Sequence, residues 1–165
     1  MNEQDIAQEL ERLHPASFSW ALSCCRRDRE EAEEVLQASY LKLLEGRARF
    51  AGRSSFKTFL FGVIRRTASE QRRRRVLQTL WLERWGRALQ PAGAGEDSGD
   101  CLQGLDAALA LLPRRQREVI ELRLQHEMTI EEAASALSIS IGSARVHYTR
   151  AKERLRRLLA EKGRA

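Results

Sequence analysis

The side chains with chemistry to offer in this chain are arginines, small hydroxyls and a few aromatics. No nucleophile–base pair, phosphate-cradling glycine loop or carboxylate pair suggests covalent catalysis, so neither an enzyme nor a cofactor is expected. His14, His126 and His147 and the three cysteines, Cys24, Cys25 and Cys101, share no metal-ligand spacing. The cysteine count is odd and two are adjacent, so the thiols read as buried or incidental and not as a disulfide framework. Two groupings suit a polyanion. In IGSARVHYTRAKERLR (141–156), Gly142, Ser143, Val146, Thr149 and Arg150 share one side of a helix, flanked by Arg145 and Lys152. In a DNA major groove, Arg can bond a guanine edge with both arms, and Ser or Thr can contact bases or phosphates. In RARFAGRSSFKTFLFGVIRRTASEQRRRR (47–75), Arg65, Arg66 and Arg72 to Arg75 can neutralise phosphates, which makes binding salt-dependent. Phe50 and Phe61 fall off the apolar stripe of that segment, beside arginines. Such aromatics can stack on unpaired bases. That they fill gaps in a core is an equally open reading.

These groups need elements to hold them, and the elements are helical. Strand signals are nearly absent, and apolar residues recur at helical spacing along most of the chain. A first helix is expected over 3–27, with Ile6, Leu10, Leu13, Phe18, Ala21, Leu22 and Cys25 as its stripe and Pro15 marking a break. Trp20 is assigned to core packing by default. Asp28 caps a second helix, whose early glutamates complement the helix dipole. Ala32, Val35, Leu36, Ser39 and Leu43 form its buried side, and Gly46 its stop. Glu30, Glu33, Glu34, Gln37 and Leu41 group on the opposite face, with Tyr40 at the border. Gly52, Ser54 and Ser55 read as a capping loop before a third helix. Its stripe is Phe56, Phe59, Leu60, Val63 and Ile64. That helix continues over 76–90, where Leu77, Leu80, Trp81 and Trp85 are available for packing.

PAGAGEDSGD (91–100) is rich in Gly, Pro and acid and reads as a flexible linker. Beyond it a helix is expected over 102–112. Pro113 then opens another, with Val119, Ile120 and Leu124 buried. Thr129 and Glu132 form a capping box before a short helix bearing Ile130, Ala133, Ala134 and Leu137. Ser138-Ile139-Ser140 breaks it, and Ser140 caps a last helix packed through Ile141, Ala144, Tyr148, Ala151, Leu155 and Leu158. The pair reads as a helix-turn-helix, against the plainer alternative of a helical hairpin with a solvated basic face. The expected fold is all-α. Two small helical domains, 1–90 and 105–165, are joined by a linker at 91–104.

Charge follows these divisions. Residues 1–46 carry net −5, 47–90 net +10, 91–104 net −3 and 105–165 net +4. Two basic blocks suggest two contacts with one polyanion, and the acidic first block suggests a protein partner. No apolar run reaches membrane-span length, and the first residues form an acidic amphipathic helix unlike a signal peptide. A soluble, cytoplasmic protein is therefore expected.

Taken in order, these parts resemble the bacterial sigma-70 family, in its small extracytoplasmic-function (ECF) group that keeps only regions 2 and 4. AEEVLQASYLKL (32–43) looks like the segment that docks the β′ clamp helices of RNA polymerase. FAGRSSFKTFLFGVIRRTA (50–68) looks like the segment that opens and reads the −10 element. LPRRQREVIELRL (112–124) and the helix-turn-helix look like the reader of the −35 element. The resemblance implies that Glu34, Gln37, Tyr40 and Leu41 bind core polymerase. It implies that Phe50, Ser54, Ser55, Phe56, Lys57 and Phe61 lie where a −10 base is captured, with Arg65 and Arg66 on nearby phosphates. It implies that Ser143, Arg145, Val146, His147 and Arg150 face the −35 groove, although the helical wheel sets His147 nearer the packing side. Implied partners are core polymerase (β′ clamp helices and β flap), promoter DNA and an anti-sigma factor. The chain departs from the family's common residues at Ala38 (acidic), Phe59 (tryptophan), Phe61 (tyrosine) and Arg66 (asparagine). Two rivals are a stand-alone helix-turn-helix regulator that binds an operator as a dimer, and a helical adaptor. The first of these leaves the acidic first block and the 47–75 segment without clear jobs.

Overall fold

The computed structural model describes residues 3–84 and 103–162. The chain forms two compact units, Met1–Glu96 and Asp97–Ala165. Among the described residues all regular structure is helical. Three helices make the first unit: α1 (Glu3–Cys24), α2 (Arg29–Leu44) and α3 (Phe56–Arg84). Four make the second: α4 (Gln103–Ala110), α5 (Arg114–Leu124), α6 (Ile130–Leu137) and α7 (Ile141–Lys162). No helix among the described residues is long and apolar enough to cross a membrane.

In the first unit each helix packs on the other two. α1 buries Leu10, Leu13, Trp20, Ala21 and Cys24. It runs through Pro15 without ending, contrary to the break expected there. Pro15 removes a bond to the carbonyl of Glu11, but both residues lie on the exposed side, where water can replace it. The buried residues on either side hold both halves of α1 on one core. α2 begins where expected. The Asp28 carboxylate accepts from the Glu31 N–H at 2.9 Å, and Ala32, Val35, Leu36, Ser39 and Leu43 are all buried. Gly46 follows its end at φ +68°, a conformation that favours glycine.

α3 departs furthest from a single-stripe helix. Its first half lies against both α1 and α2, so its buried arc is wide and takes in Thr58, Phe61, Arg65 and Thr67 beside the expected stripe. Its far end leaves the core. Val76, Leu77, Leu80 and Trp81 are all more than half exposed, so Leu77, Leu80 and Trp81, available for packing by their spacing, do not enter the core. Trp85 and the rest of the expected 76–90 helix beyond Arg84 lie outside the described residues, as does the expected linker apart from Gln103 and Gly104.

Cys24 and Cys25 are both buried. Burial, first of all, pushes the Cys25 thiol up to about 12. At pH 8 the ionised fraction is then on the order of 10⁻⁴, against roughly a quarter for a free cysteine. Native protein treated with a thiol reagent at pH 8 should therefore leave Cys25 unlabelled by mass spectrometry, and denaturant should expose it. A raised pKa also means that the folded state holds its proton more tightly. Ionisation of Cys25 therefore leaves stability unchanged below about pH 8.5 and lowers it as pH rises from there toward 12.

In the second unit α5 packs on α6 and α7, and α4 on α7. Ala108, Leu109, Leu112, Ile120, Ala151 and Leu155 share a core, joined by Leu105, Tyr148 and Leu158. Pro113 stands just before α5 and not as its first residue. Leu124, the last residue of α5, was expected to be buried but is exposed; Leu122 is buried instead. The capping box of α6 is complete. The Glu132 N–H donates to Thr129 Oγ1 at 3.1 Å, and the Thr129 N–H donates to Glu132 Oε2 at 2.9 Å. Ser138 closes α6 in the left-handed conformation. Ser140 Oγ then accepts from the Ser143 N–H at 3.1 Å and so caps α7.

Candidate nucleic-acid and partner-binding surfaces

Four surfaces carry the residues singled out above. The first is the loop before α3. Phe50, Phe56 and Phe59 form one aromatic cluster, with Phe50 centred 5.5 Å from Phe56 edge-on and 5.3 Å from Phe59. Phe56 is buried and Phe50 and Phe59 half-buried, and Phe50 is the ring contributed by the loop. Ser55 Oγ accepts from the Thr58 N–H at 3.2 Å and shares a bond with Thr58 Oγ1 at 2.8 Å. It therefore caps α3. Ser54 Oγ donates to the Ser55 carbonyl at 3.2 Å, and Gly52 turns the loop at φ +68°. Lys57 is half-buried and Arg66 exposed.

Two residues expected at this surface are not on it. Phe61 is fully buried, stacked on Trp20 with centroids 5.8 Å apart and planes 7° from parallel. It cannot stack on a base while this unit is folded. Arg65 is 8 % exposed, so its guanidinium is not on offer to a phosphate as expected. Both fall in the widened buried arc of α3. Phe56 stays at the site as a wall behind Phe50.

The second surface is the arginine run on α3, and only part of it faces outward. Arg72 Nη2 donates to the Cys24 carbonyl at 2.6 Å, closing the end of α1. Arg75 reaches α2, with Nη2 2.8 Å from Glu34 Oε2 and Nη1 3.4 Å from Glu31 Oε2. Arg73 and Arg74 are exposed. Residues three apart share a helix face, so Arg72 and Arg75 lie on the side toward α1 and α2 and are engaged there, Arg75 while still exposed.

The third surface is the outer face of α2. Glu34, Gln37 and Leu41 are exposed, and Leu44 extends the apolar part by one turn. Tyr40 is half-buried at the border, its hydroxyl 3.2 Å from His14 Nδ1, and burial pushes its phenol up. The ion pair from Arg75 to Glu34 is absent from any local pattern, because it joins residues 41 apart in the chain.

The fourth surface is the start of α7. Ser143, Arg145, Val146 and Arg150 are exposed, while Ala144 and Ala151 are buried on the opposite side. His147 is half-buried, and its Nδ1 is shut away from solvent without a hydrogen-bond partner. It belongs with the packing side and not with the exposed face expected of it, because it neighbours Ala144, Tyr148 and Ala151 on the wheel. Arg145 Nη2 lies 3.4 Å from Glu131 Oε1 on α6. The Glu131 carboxyl is held below the usual range, first by a backbone N–H and further by Arg145. It therefore stays ionised at neutral pH.

Known proteins carry the same arrangement. Residues 10–77 match the sigma-70 region 2 family, and residues 102–155 match sigma-70 region 4. The chain is 29 % identical over 160 residues to the RNA polymerase sigma factor CarQ of Myxococcus xanthus, covering 96 % of this chain and 91 % of that one. It is 33 % identical over 132 residues to the ECF RNA polymerase sigma factor SigF of Caulobacter vibrioides, covering 77 % of this chain and 72 % of that protein. The sigma factor RpoE of Bartonella quintana, solved with the anti-sigma factor NepR, superposes with a TM-score of 0.75 at 30 % identity, over 95 % of this chain and 98 % of that one. CnrH, solved with the cytosolic domain of CnrY, shares the fold at 21 % identity and a TM-score of 0.66, over 97 % and 90 % of the two chains. With regions 2 and 4 both present and in order, the chain belongs to the sigma-70 family as an ECF sigma factor, which binds core RNA polymerase and promoter DNA to direct promoter-specific initiation of transcription.

Proposed function

We propose how the residues of this sigma factor divide that work. Glu34, Gln37, Tyr40 and Leu41 on α2 dock the β′ clamp helices of core polymerase. Phe50, Ser54, Ser55 and Lys57, backed by Phe56, receive an extruded base of the −10 element, with Arg66 on a nearby phosphate. Ser143, Arg145, Val146 and Arg150 face the −35 groove, and the same domain meets the β flap. The observation that carries this reading is α7, which exposes those four residues on one face and packs Ala144 and Ala151 on the other. The domains are 1–90 and 105–165, joined by the acidic segment 91–104. Because core polymerase holds both domains, two weak DNA contacts act as one bivalent grip. The unstacking cost of the extruded base is offset by the contacts that receive it. The chain acts in the cytoplasm, without covalent chemistry of its own. An anti-sigma factor masks it, as NepR binds the Bartonella relative.

The test is transcription in vitro by bacterial core polymerase on fragmented DNA from the protein's own source. Discrete new start sites should appear only when the protein is present, and their upstream sequences should share −10 and −35 elements. Absence of new starts together with absence of binding to core would overturn the reading in favour of a stand-alone regulator.

A further inference from the structure

The far end of α3 is apolar on one side and basic around it. Val76, Leu77, Leu80 and Trp81 are each more than half exposed, Trp81 the most at 63 %. Residues three and four apart are neighbours on a helix, so the four form one continuous patch. Arg73 stands one turn before Leu77, Arg84 one turn after Leu80, and Arg74 lies on the side of Trp81, two turns before it. All three arginines are exposed. Residues 72–84 hold five arginines and one glutamate, net +4. Beside the patch is a cleft of about 390 Å³ where the turn after α1 and the start of α2 meet α3. Arg26, Arg72, Arg75 and Glu31 line it, and Val76 and Leu80 belong both to it and to the patch. Arg75 is already paired with Glu31 and Glu34, so Arg26 and Arg72 supply the excess positive charge of the cleft.

We propose that this face settles on an anionic lipid surface. The patch enters the boundary between headgroups and acyl chains, where tryptophan rings are favoured, and Arg73, Arg74 and Arg84 reach back to the headgroup phosphates. The cleft takes one headgroup, with its phosphate on Arg26 and Arg72 and its hydrocarbon over Val76 and Leu80. The chemistry selects this occupant. A second copy of the chain would set arginines against arginines. Duplex DNA would neutralise the arginines and leave four apolar side chains in water. An acidic helix of another protein would answer both, but the cleft joins positive charge to an aliphatic wall in one recess, as an anionic headgroup joins a hydrocarbon chain. The contact is peripheral, since no helix among the described residues is long and apolar enough to cross a membrane.

The experiment sediments the full-length chain with vesicles of phosphatidylcholine alone and of phosphatidylcholine mixed with phosphatidylglycerol. Circular dichroism confirms the fold of each variant. The protein should bind the mixed vesicles and not the neutral ones, more weakly as salt rises. The double variant Leu77→Ser, Leu80→Ser keeps every charge and should lose at least about tenfold in affinity for the mixed vesicles. Arg26→Ala removes one charge from the cleft and should lose roughly fivefold. The double leucine variant should also support transcription by core polymerase as wild type does when no lipid is present. A wild-type chain that stays in the supernatant with both vesicles overturns the proposal. So does wild-type binding by either variant, which would leave only diffuse attraction of a basic protein to an anionic surface. Lipid-free transcription lost in the double leucine variant, whatever it does on vesicles, would assign the patch to a protein contact instead.

Discussion

Phe61→Ala should strongly destabilise the first domain and not merely blunt promoter opening. The ring is fully buried against Trp20, and Trp20 Nε1 donates to the Phe61 carbonyl at 3.1 Å, so side chain and backbone at this position anchor the same tryptophan. Removing a buried phenyl ring costs about 3–5 kcal/mol, against a total stability of about 5–15 kcal/mol for a whole domain. In a domain of this size that is a fall in melting midpoint of more than about 10 °C. Phe61→Leu keeps most of the volume and gives up the ring–ring term, worth about 0.5–1.5 kcal/mol. It should lower the midpoint modestly and still open promoters. Calorimetry reads the first effect, and permanganate footprinting of unpaired thymines reads the second. A Phe61→Ala protein that melts like wild type yet fails to open DNA would return Phe61 to the base-reading surface. Phe50 predicts the reverse pattern. It is half-buried at the loop, so Phe50→Ala should cost less stability and more open complex.

What could be read from the chain alone, and what could not, divides by range. Caps and stripes are local, and they were legible. Asp28, the Thr129–Glu132 box and Ser140 each sit where their side chains can only serve the next few backbone N–H groups. Ala32, Val35, Leu36, Ser39 and Leu43 mark the buried face of α2 by spacing alone. The exposed and buried sides of α7 followed in the same way; the wheel alone set His147 nearer the packing side, although the family resemblance placed it on the exposed face. The misplacements all came from contacts between helices. A helical wheel assigns one buried stripe, but α3 meets two neighbours, so Phe61, left open between base stacking and core filling, and Arg65, read as a phosphate contact, are both core. Beyond Arg75 the same helix leaves the core, so Leu77, Leu80 and Trp81, which spacing made available for packing, are each more than half exposed. The arginine run read as uniform phosphate contacts, because nothing local reveals that Arg72 closes α1 or that Arg75 spans to Glu34. The identity of the family survived these errors, because it rests on the order of two segments and not on any one side chain.

The last prediction concerns Arg145 and separates reading from mere attraction. In the free protein its guanidinium lies 3.4 Å from Glu131 Oε1, with both side chains more than half exposed. An exposed pair of this kind is worth little, about 0–1 kcal/mol, so it orients Arg145 without holding it back from DNA. A two-armed bond to a guanine edge is worth about 1–3 kcal/mol of discrimination. Arg145→Ala should therefore cost polymerase holoenzyme roughly 5- to 150-fold at promoters with the preferred −35 base, and nearly nothing extra once that base is changed. Arg145→Lys keeps the charge but loses the planar fork, so it should retain the salt dependence of binding while losing the base preference. Glu131→Gln removes a carboxylate from beside the groove and should raise affinity a few-fold for every sequence alike. The outcome that would refute the assignment is a uniform loss with Arg145→Ala, equal on matched and mismatched −35 elements, accompanied by a salt slope lower by about 1. Arg145 would then be a phosphate contact, and base selection in this domain would have to come from Ser143, Val146 or Arg150, the other exposed residues at the start of α7.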